Sequence, residues 1–145
     1  TLFRSVIQKA EETERIAGVV KLISQTDKIS FVLDHNLFEK AMFQIIQNAI
    51  KFSKPEPKIF VDLLKSDHEL IISINDNGIV IPENCQSNLF KPFLKCSNAE
   101  NYPGTGIGLS IAKTCIDAMS GSIILKSKAN EGTTFIIKIS SQNRL

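Results

Sequence analysis

Apolar residues recur at helical spacing in three stretches of the chain. Residues 2–17 carry apolar side chains every three or four positions, and Gly18 offers a C-terminal stop for this first helix. Residues 37–50 carry apolar pairs about four positions apart, with N-cap candidates at 34–36. Residues 106–120 repeat the pattern. The spacing therefore predicts three amphipathic helices.

Short runs rich in Ile, Val and Leu alternate with these helices and predict strands. The runs form adjacent pairs, namely 19–24 with 29–33, 58–66 with 69–75, and 123–127 with 134–140. Each pair flanks a polar turn, which predicts hairpins. Antiparallel pairs separated by helices favour an α+β fold, a two-layer α/β sandwich whose mixed sheet has helices on one face. A doubly wound parallel fold would need single strands that alternate with helices.

The segment between residues 78 and 104 fits neither pattern. It contains three prolines, polar residues and isolated aromatic residues. Loops of this length in a compact domain are usually functional or disordered. Phe90, Phe93 and Lys95 supply apolar anchors and a cation, which favours a lid over a simple linker.

The composition fits one domain over residues 1–145, with 43% hydrophobic and 22% charged residues. The formal net charge of +2 gives no reason to expect nucleic acid or an anionic membrane as a partner. No apolar run approaches the roughly 20 residues of a membrane helix, and the N-terminus lacks a secretory signal. We therefore expect a cytoplasmic domain without direct membrane contact, which is compatible with a membrane anchor elsewhere in a full-length protein.

The cysteines and histidines suggest no metal or nucleophilic site. Cys85, Cys96 and Cys115 are an odd number, with no Cys-x-x-Cys spacing and no nearby His. This argues against a zinc site or a disulfide framework and favours reduced cysteines. His35 and His68 lie in polar turns, without Cys, Ser or carboxylate partners at a suitable spacing.

The second predicted helix carries polar residues at the edge of its apolar face. At about 100° per residue, Gln44, Asn48 and Lys51 fall within roughly 60° of one another, with Phe52 beside them. An Asn oxygen suits a hard cation, and a Lys one turn later suits a phosphate. A solvated helix flank explains the same residues, so the helix alone does not decide.

Two glycine motifs have a similar double interpretation. Asp76-Asn77-Gly78 ends an apolar strand, where both a tight turn and an Asp that accepts a bond from an amino group fit. Residues 104–109 open a helix with three alternate glycines, whose amides can approach an anion. This motif lacks the third glycine of the dinucleotide fingerprint and the Lys of a P-loop. A flexible hinge is its alternative explanation.

Taken in order, these motifs resemble the catalytic and ATP-binding domain of sensor histidine kinases, in the superfamily that also contains gyrase, chaperone and MutL ATPases. Five boxes carry the resemblance: an N box at 47–53, a first glycine box at 76–78, an F box at 89–93, a second glycine box at 104–111 and a last box at 132–135. Single boxes are weak, whereas five in order are specific. The resemblance covers essentially the whole chain and implies a Bergerat-type ATP-binding fold with an ATP lid at about 78–104.

The resemblance implies catalytic roles for three residues at the phosphates of ATP. Asn48 would hold Mg²⁺, Lys51 would contact a phosphate, and Lys95 would reach the terminal phosphate from the lid. Backbone amides of the second glycine box would hold the phosphate chain. The box residues that would bind the nucleotide are Gly104, Thr105, Gly106, Gly108 and Leu109. The chemistry is positioning and charge neutralisation for an in-line phosphoryl transfer.

The resemblance also implies an adenine site. Asp76 would accept a hydrogen bond from the adenine amino group, helped by Thr133 through water. Gly78 would let the base lie close, and Phe52 would pack on it where the family often has Tyr.

Two positions depart from the family pattern. Val80 stands where the first glycine box usually has a second Gly, and Val is costly if that backbone needs a positive φ. Gln44 stands one turn before the metal-binding Asn, where superfamily ATPases carry a Glu that activates water. A neutral amide cannot act as a general base, which favours kinase over ATPase.

The implied activity is transfer of the γ-phosphoryl group of ATP to a histidine, with ATP and Mg²⁺ as cofactors in two-component signalling. Neither His35 nor His68 lies in the phosphoacceptor context of the family. The acceptor is therefore expected on a separate dimerisation and phosphoacceptor helical domain, with a response regulator downstream. Two alternatives remain: an ATP-hydrolysing conformational switch, and a degenerate nucleotide-binding interaction module, which Val80 motivates.

Overall fold

The computed structural model describes residues 2–23, 31–53, 55–66, 68–86, 89–91, 107–128 and 131–141. Within these ranges the chain forms four helices and five strands. In chain order they are α1 (Leu2–Thr13), β1 (Val20–Leu22), α2 (His35–Ser53), β2 (Ile59–Lys65), β3 (Glu69–Asp76), α3 (Glu83–Gln86), α4 (Gly108–Ala118), β4 (Ser122–Lys128) and β5 (Gly132–Ser140).

The strands form one mixed sheet in the order β1-β2-β3-β5-β4. β1 runs parallel to β2, and all other neighbours are antiparallel. The pairs β2–β3 and β4–β5 follow each other along the chain, as the sequence predicts. The central pair β3–β5 is non-local, and its register places Asp76 opposite Thr133. Two of the predicted motifs therefore meet through the sheet.

The core lies between one face of the sheet and the helices. Side chains alternate along β3, so Leu70, Ile72 and Ile74 are buried while their neighbours are partly exposed. α2 contributes the largest set of buried residues among the helices and packs against both α1 and α4. On the opposite face of the sheet, Phe60 and Ile124 are 40% and 51% exposed. The predicted two-layer α+β sandwich with helices on one face is confirmed.

Local hydrogen bonds explain where the helices begin and end. Asp34 Oδ1 accepts the Leu37 amide at 3.0 Å, which confirms the predicted N-cap of α2. α1 ends earlier than the predicted stop at Gly18, because Arg15 turns left-handed with φ +57°. The Arg15 and Ile16 amides then bond back to carbonyls of the last helical turn at 3.1 and 3.0 Å. This Schellman closure leaves Glu14 at the end of the helix.

The predicted hairpin of residues 19–24 with 29–33 is wrong. β1 instead joins β2 in parallel, with the Ile59 amide bonded to the Val19 carbonyl at 3.0 Å and the Ile23 amide bonded to Val61 at 2.8 Å. Residues 31–33 carry no strand, and residues 24–30 lie outside the described ranges. The local pattern cannot reveal this pairing, because β2 lies far along the chain from β1.

The segment after β3 is only partly irregular. α3 provides one short helix there. Val80 lies outside the left-handed region, because the positive-φ residues other than Gly in the described ranges are Arg15 and Ser120.

The expectation of reduced cysteines is wrong at Cys85, which is disulfide-bonded, whereas Cys115 is free and buried. No helix in the described part of the chain is long and apolar enough to cross a membrane.

Candidate functional site

Asp76 is a buried carboxylate at the end of β3. Its exposed fraction is 5%, and its Oδ1 accepts the Gly78 amide at 2.8 Å. Burial raises the pKa of this carboxyl to about 6, although hydrogen bonds from the Gly78 and Thr133 backbone amides oppose the rise. Asp76 therefore offers a desolvated acceptor beside the turn that follows β3, where an amino group could satisfy it.

Gly78 brings this turn against the end of α2. A Cβ at position 78 would lie 2.5 Å from the Phe52 carbonyl oxygen and 2.9 Å from Asp76 Oδ1. The Ile79 amide also bonds to the Phe52 carbonyl at 3.2 Å. The glycine is thus required by protein packing, in addition to the role at the base that the sequence suggests. Phe52 and Asp76, from different boxes, are held together as a result.

Thr133 completes this cluster from the sheet. It is 2% exposed, and its hydroxyl lies 3.0 Å from the Ser127 hydroxyl and 3.4 Å from the Ile79 carbonyl. Ser127 in turn accepts the Ile81 amide at 2.8 Å. Ser127, which belongs to none of the five boxes, therefore ties β4 to the start of the predicted lid. The predicted β4–β5 hairpin was the one available signal, since its register places Ser127 opposite Thr133.

Gly132 fixes the distance between the last box and Asp76. Its φ is +71°, and a Cβ at this position would overlap the Asp76 carbonyl oxygen. No side chain can be accommodated there without moving β3 or β5. The close approach explains why a glycine precedes Thr133.

The N-box side chains line one side of α2 near its C-terminal end. Asn48, Lys51 and Phe52 are each partly buried. Lys51 Nζ lies 4.0 Å from Glu14 Oε1, a contact that the sequence does not suggest. No hydrogen bond to the Asn48 side-chain amide is found among the residues that the structure describes.

The second glycine box is described from residue 107 onwards. α4 begins at Gly108, where a Cβ would lie 2.8 Å from Gln44 Oε1, so α2 and the start of α4 are in contact. Leu109 is 8% exposed and belongs to the core, which leaves its backbone rather than its side chain for a ligand.

Phe90 of the F box contacts Phe135 edge-on, with ring centroids 6.3 Å apart. The predicted site residues that lie outside the described ranges are Lys95, Gly104, Thr105 and Gly106.

The arrangement has two ends. Asp76, Gly78, Thr133 and the Phe52 carbonyl form a compact, hydrogen-bonded cluster that can hold a heterocycle bearing an amino group. Asn48 and Lys51 precede Phe52 near the C-terminal end of α2, and they offer an amide oxygen and a cation. A nucleotide presents these two chemistries in this order: a base, then phosphates.

Comparison with protein families matches residues 33–143 to the histidine kinase-, DNA gyrase B- and HSP90-like ATPase family. The chain belongs to this family. It is 34% identical over 122 residues to the heme sensor protein HssS of Staphylococcus haemolyticus, which covers 84% of this chain and 26% of the relative. It is 41% identical over 102 residues to the signal transduction histidine-protein kinase ArlS of Staphylococcus aureus, 69% of this chain and 23% of the relative. The chain therefore spans about a quarter of these curated relatives.

Solved structures agree with this assignment. The catalytic domain of the histidine kinase ThkA matches 97% of this chain and 92% of its own length, with a TM-score of 0.77 and 28% identity. The mycobacterial sensor histidine kinase MprB matches 99% of this chain and 95% of its own length, with a TM-score of 0.78; at 19% identity it shows the fold alone. Together, the family, the relatives and the fold define a nucleotide-binding catalytic domain of the two-component histidine kinase type.

Proposed function

We propose that this chain is one domain that binds ATP with Mg²⁺ and transfers the γ-phosphoryl group to a histidine. The histidine would lie on the protein's own dimerisation and phosphoacceptor helices, and a response regulator would receive the phosphoryl group downstream. The observation that carries the proposal is the buried carboxylate of Asp76, whose pKa is raised to about 6 beside Gly78 and Thr133. A desolvated acceptor of this kind is suited to the amino group of adenine.

At the adenine end, Asp76 would accept the hydrogen bond and the sheet would hold it in place. Its Oδ1 already accepts the Gly78 amide, so the carboxylate is oriented before the base arrives. Thr133 would assist through water from its buried hydroxyl, and Phe52 would pack on the ring. Because the acceptor faces an amino group, this site would favour adenine over guanine, which carries a carbonyl at that position.

At the phosphate end, Asn48 would hold Mg²⁺ and Lys51 would contact a phosphate. A lone amide oxygen fits Mg²⁺ when phosphates and water supply the other ligands, and the described residues contain no group of three His, Cys, Asp or Glu that could bind a metal without them. The ion would neutralise charge on the phosphates as the phosphoryl group departs. Lys95 and the amides of Gly104, Thr105, Gly106, Gly108 and Leu109 would enclose the phosphates when the lid at about 78–104 closes.

Two observations favour kinase activity over the alternatives. Gln44, whose amide contacts Gly108, cannot take a proton from water as a Glu would, which disfavours an ATP-hydrolysing switch. The φ angle of Val80 is not positive, so the backbone strain that would favour a degenerate interaction module is absent.

The proposal is tested with radiolabelled ATP and a separately expressed phosphoacceptor domain from the full-length protein or from a relative such as ArlS. We expect Mg²⁺-dependent labelling of the acceptor, and no labelling when its histidine is replaced by Gln. Calorimetry with a non-hydrolysable ATP analogue checks binding in parallel. Absence of ATP binding would support the degenerate module instead, and rapid phosphate release without transfer would support the hydrolytic switch.

A further inference from the structure

The carboxylate of Glu14 lies beside the predicted phosphate-binding lysine. Glu14 sits where the left-handed Arg15 closes α1, and its side chain is only 8% exposed. Its Oε1 accepts a hydrogen bond from Gln47 Nε2 at 3.0 Å and lies 4.0 Å from Lys51 Nζ. Gln47 and Lys51 are one turn apart on α2, so both reach the end of α1 from the same side.

The two contacts differ in kind. The hydrogen bond from Gln47 fixes the Glu14 carboxylate, whereas 4.0 Å is too long for a hydrogen bond, so Glu14 holds Lys51 by charge. The Lys51 side chain is 26% exposed and carries its ammonium on a flexible four-carbon stem, so the ammonium can change partner. The carboxylate is therefore the fixed member of the pair, and the lysine is the mobile one.

A nearly buried carboxylate and an ATP phosphate need the same cation. Removal of Lys51 from Glu14 leaves a buried negative charge with less compensation, which is unfavourable. The same charge repels phosphate groups that approach Lys51. Both effects act only on ligands that carry phosphates, and both act against binding.

We propose that Glu14 competes with the phosphates of ATP for Lys51 and thereby lowers ATP affinity. The inference rests on the proposed function, because it assumes that Lys51 meets a phosphate. Glu14 precedes residues 33–143, the segment matched to the ATPase family, so the competition links α1 to the nucleotide site from outside that segment. Any displacement of the end of α1 would change the availability of Lys51.

The direct test is the Glu14→Gln variant of the 145-residue chain, titrated with Mg²⁺-ATP and with adenosine by calorimetry. Gln keeps the length and the acceptor for Gln47 but removes the charge that faces Lys51. We expect ATP to bind about 2- to 5-fold more tightly, the scale of a partly exposed ion pair, and adenosine to bind as before. Glu12→Gln is the matched control, because Glu12 is exposed on the same helix and bonds to Gln8.

A second variant should act in the opposite direction. Gln47→Met removes the hydrogen bond that fixes Glu14, so the carboxylate depends more on Lys51. We expect ATP to bind about 2- to 5-fold more weakly, with adenosine again unchanged. In a Lys51→Met background, the effect of Glu14→Gln should shrink, because only repulsion of the phosphates remains.

Thermal melting checks that each variant is folded, and Gln47→Met carries the test if Glu14→Gln does not fold. Unchanged or weaker ATP binding by Glu14→Gln overturns the competition. An equal change for adenosine overturns it as well, because that result assigns Glu14 a structural role. A wild-type chain that binds neither adenosine nor Mg²⁺-ATP overturns the proposed function itself.

Discussion

The adenine end and the phosphate end of the candidate site are built in different ways. Asp76 and Thr133 are 5% and 2% exposed, face each other across β3 and β5, and are each held by hydrogen bonds to neighbouring backbone. Asn48 and Lys51 are partly buried side chains on one helix, and Lys51 has a charge contact at 4.0 Å instead of a hydrogen bond. In the proposed site, recognition of the base would thus be prepared by the sheet, whereas recognition of the phosphates would depend on side chains that can change partner.

The largest effect is expected from a substitution of Gly132, because a side chain there would disrupt the adenine end. A methyl group there would overlap the Asp76 carbonyl oxygen, and the left-handed φ adds its own strain. We expect Gly132→Ala to lower the free energy of unfolding by at least about 3 kcal/mol in urea denaturation. Gly18→Ala is the control, since Gly18 has φ +72° but no atom within 4 Å of a Cβ; it should cost about 1–2 kcal/mol. Equal costs for both would show that the approach to Asp76 is not the constraint.

Asn48→Ala should break the phosphate end and leave the fold intact. The side chain is only partly buried, so we expect the free energy of unfolding to change by less than about 0.5 kcal/mol. Mg²⁺-dependent phosphoryl transfer should fall by about 100-fold or more, while adenosine binding persists. Asn36→Ala, exposed on the same helix, serves as the control. Wild-type transfer rates in Asn48→Ala would refute the metal role.

Asp76→Asn should weaken recognition of the base selectively. The carboxylate is an acceptor in either orientation, whereas an amide must present its oxygen. We expect ATP affinity to fall by about 1.5–3 kcal/mol, the scale of a hydrogen bond to a charged group. GTP binding should not fall in parallel, since its base lacks that amino group. Equal losses for ATP and GTP, measured by calorimetry, would assign Asp76 a structural role in the turn.

The stability of Asp76→Asn relative to wild type should also depend on pH. Because the pKa of Asp76 is raised from 3.8 to about 6, the folded nucleotide-free domain holds this proton more tightly than the unfolded chain. Stability from this group is present below pH 3.8 and is lost as the pH rises through about 6. We expect Asp76→Asn to be more stable than wild type at pH 7, by up to about 3 kcal/mol, with the advantage vanishing towards pH 4. A constant difference in melting temperature from pH 4 to 7 would contradict this.

The smallest effect is expected at Val80, beside the adenine end. Because its φ is not positive, Val80→Gly relieves no strain and only adds freedom to the unfolded chain. We expect a loss of about 0.5–1 kcal/mol in the free energy of unfolding and ATP-analogue affinity within about twofold of wild type. Binding that is fivefold tighter or more would show that Val80 weakens the natural site.

The sequence allows prediction of the elements whose pattern is local. α2, the β2–β3 pair and the β4–β5 pair follow from periodicity and turn residues alone, since their partners are adjacent along the chain. The parallel pairing of β1 with β2 is not predictable in this way, because a three-residue edge strand carries too little pattern to identify a distant partner. The early end of α1 is not predictable either, because Arg15 adopts the left-handed conformation that is expected of a glycine such as Gly18.

The candidate site divides along the same line. Asp76, Gly78 and Thr133 could be named from motif order, but their mutual contact depends on the β3–β5 register. Ser127 could be found only through the register of the predicted β4–β5 hairpin, which places it opposite Thr133. Glu14 could not be named from the sequence, because its contact with Lys51 arises from the packing of α1 against α2 and not from local spacing.

The pairing of β3 with β5 also has a consequence for the order of folding. Asp76 and Thr133 are partners in the sheet, yet the chain between them includes α4 and the segment predicted to form the lid. Pairings this distant form slowly, because a long loop must close first. A nascent chain that has emerged only as far as α4 has every residue of the phosphate end but no completed base pocket. In the proposed site, nucleotide would therefore bind only after β5 has docked, and ATP would stabilise that step by mass action.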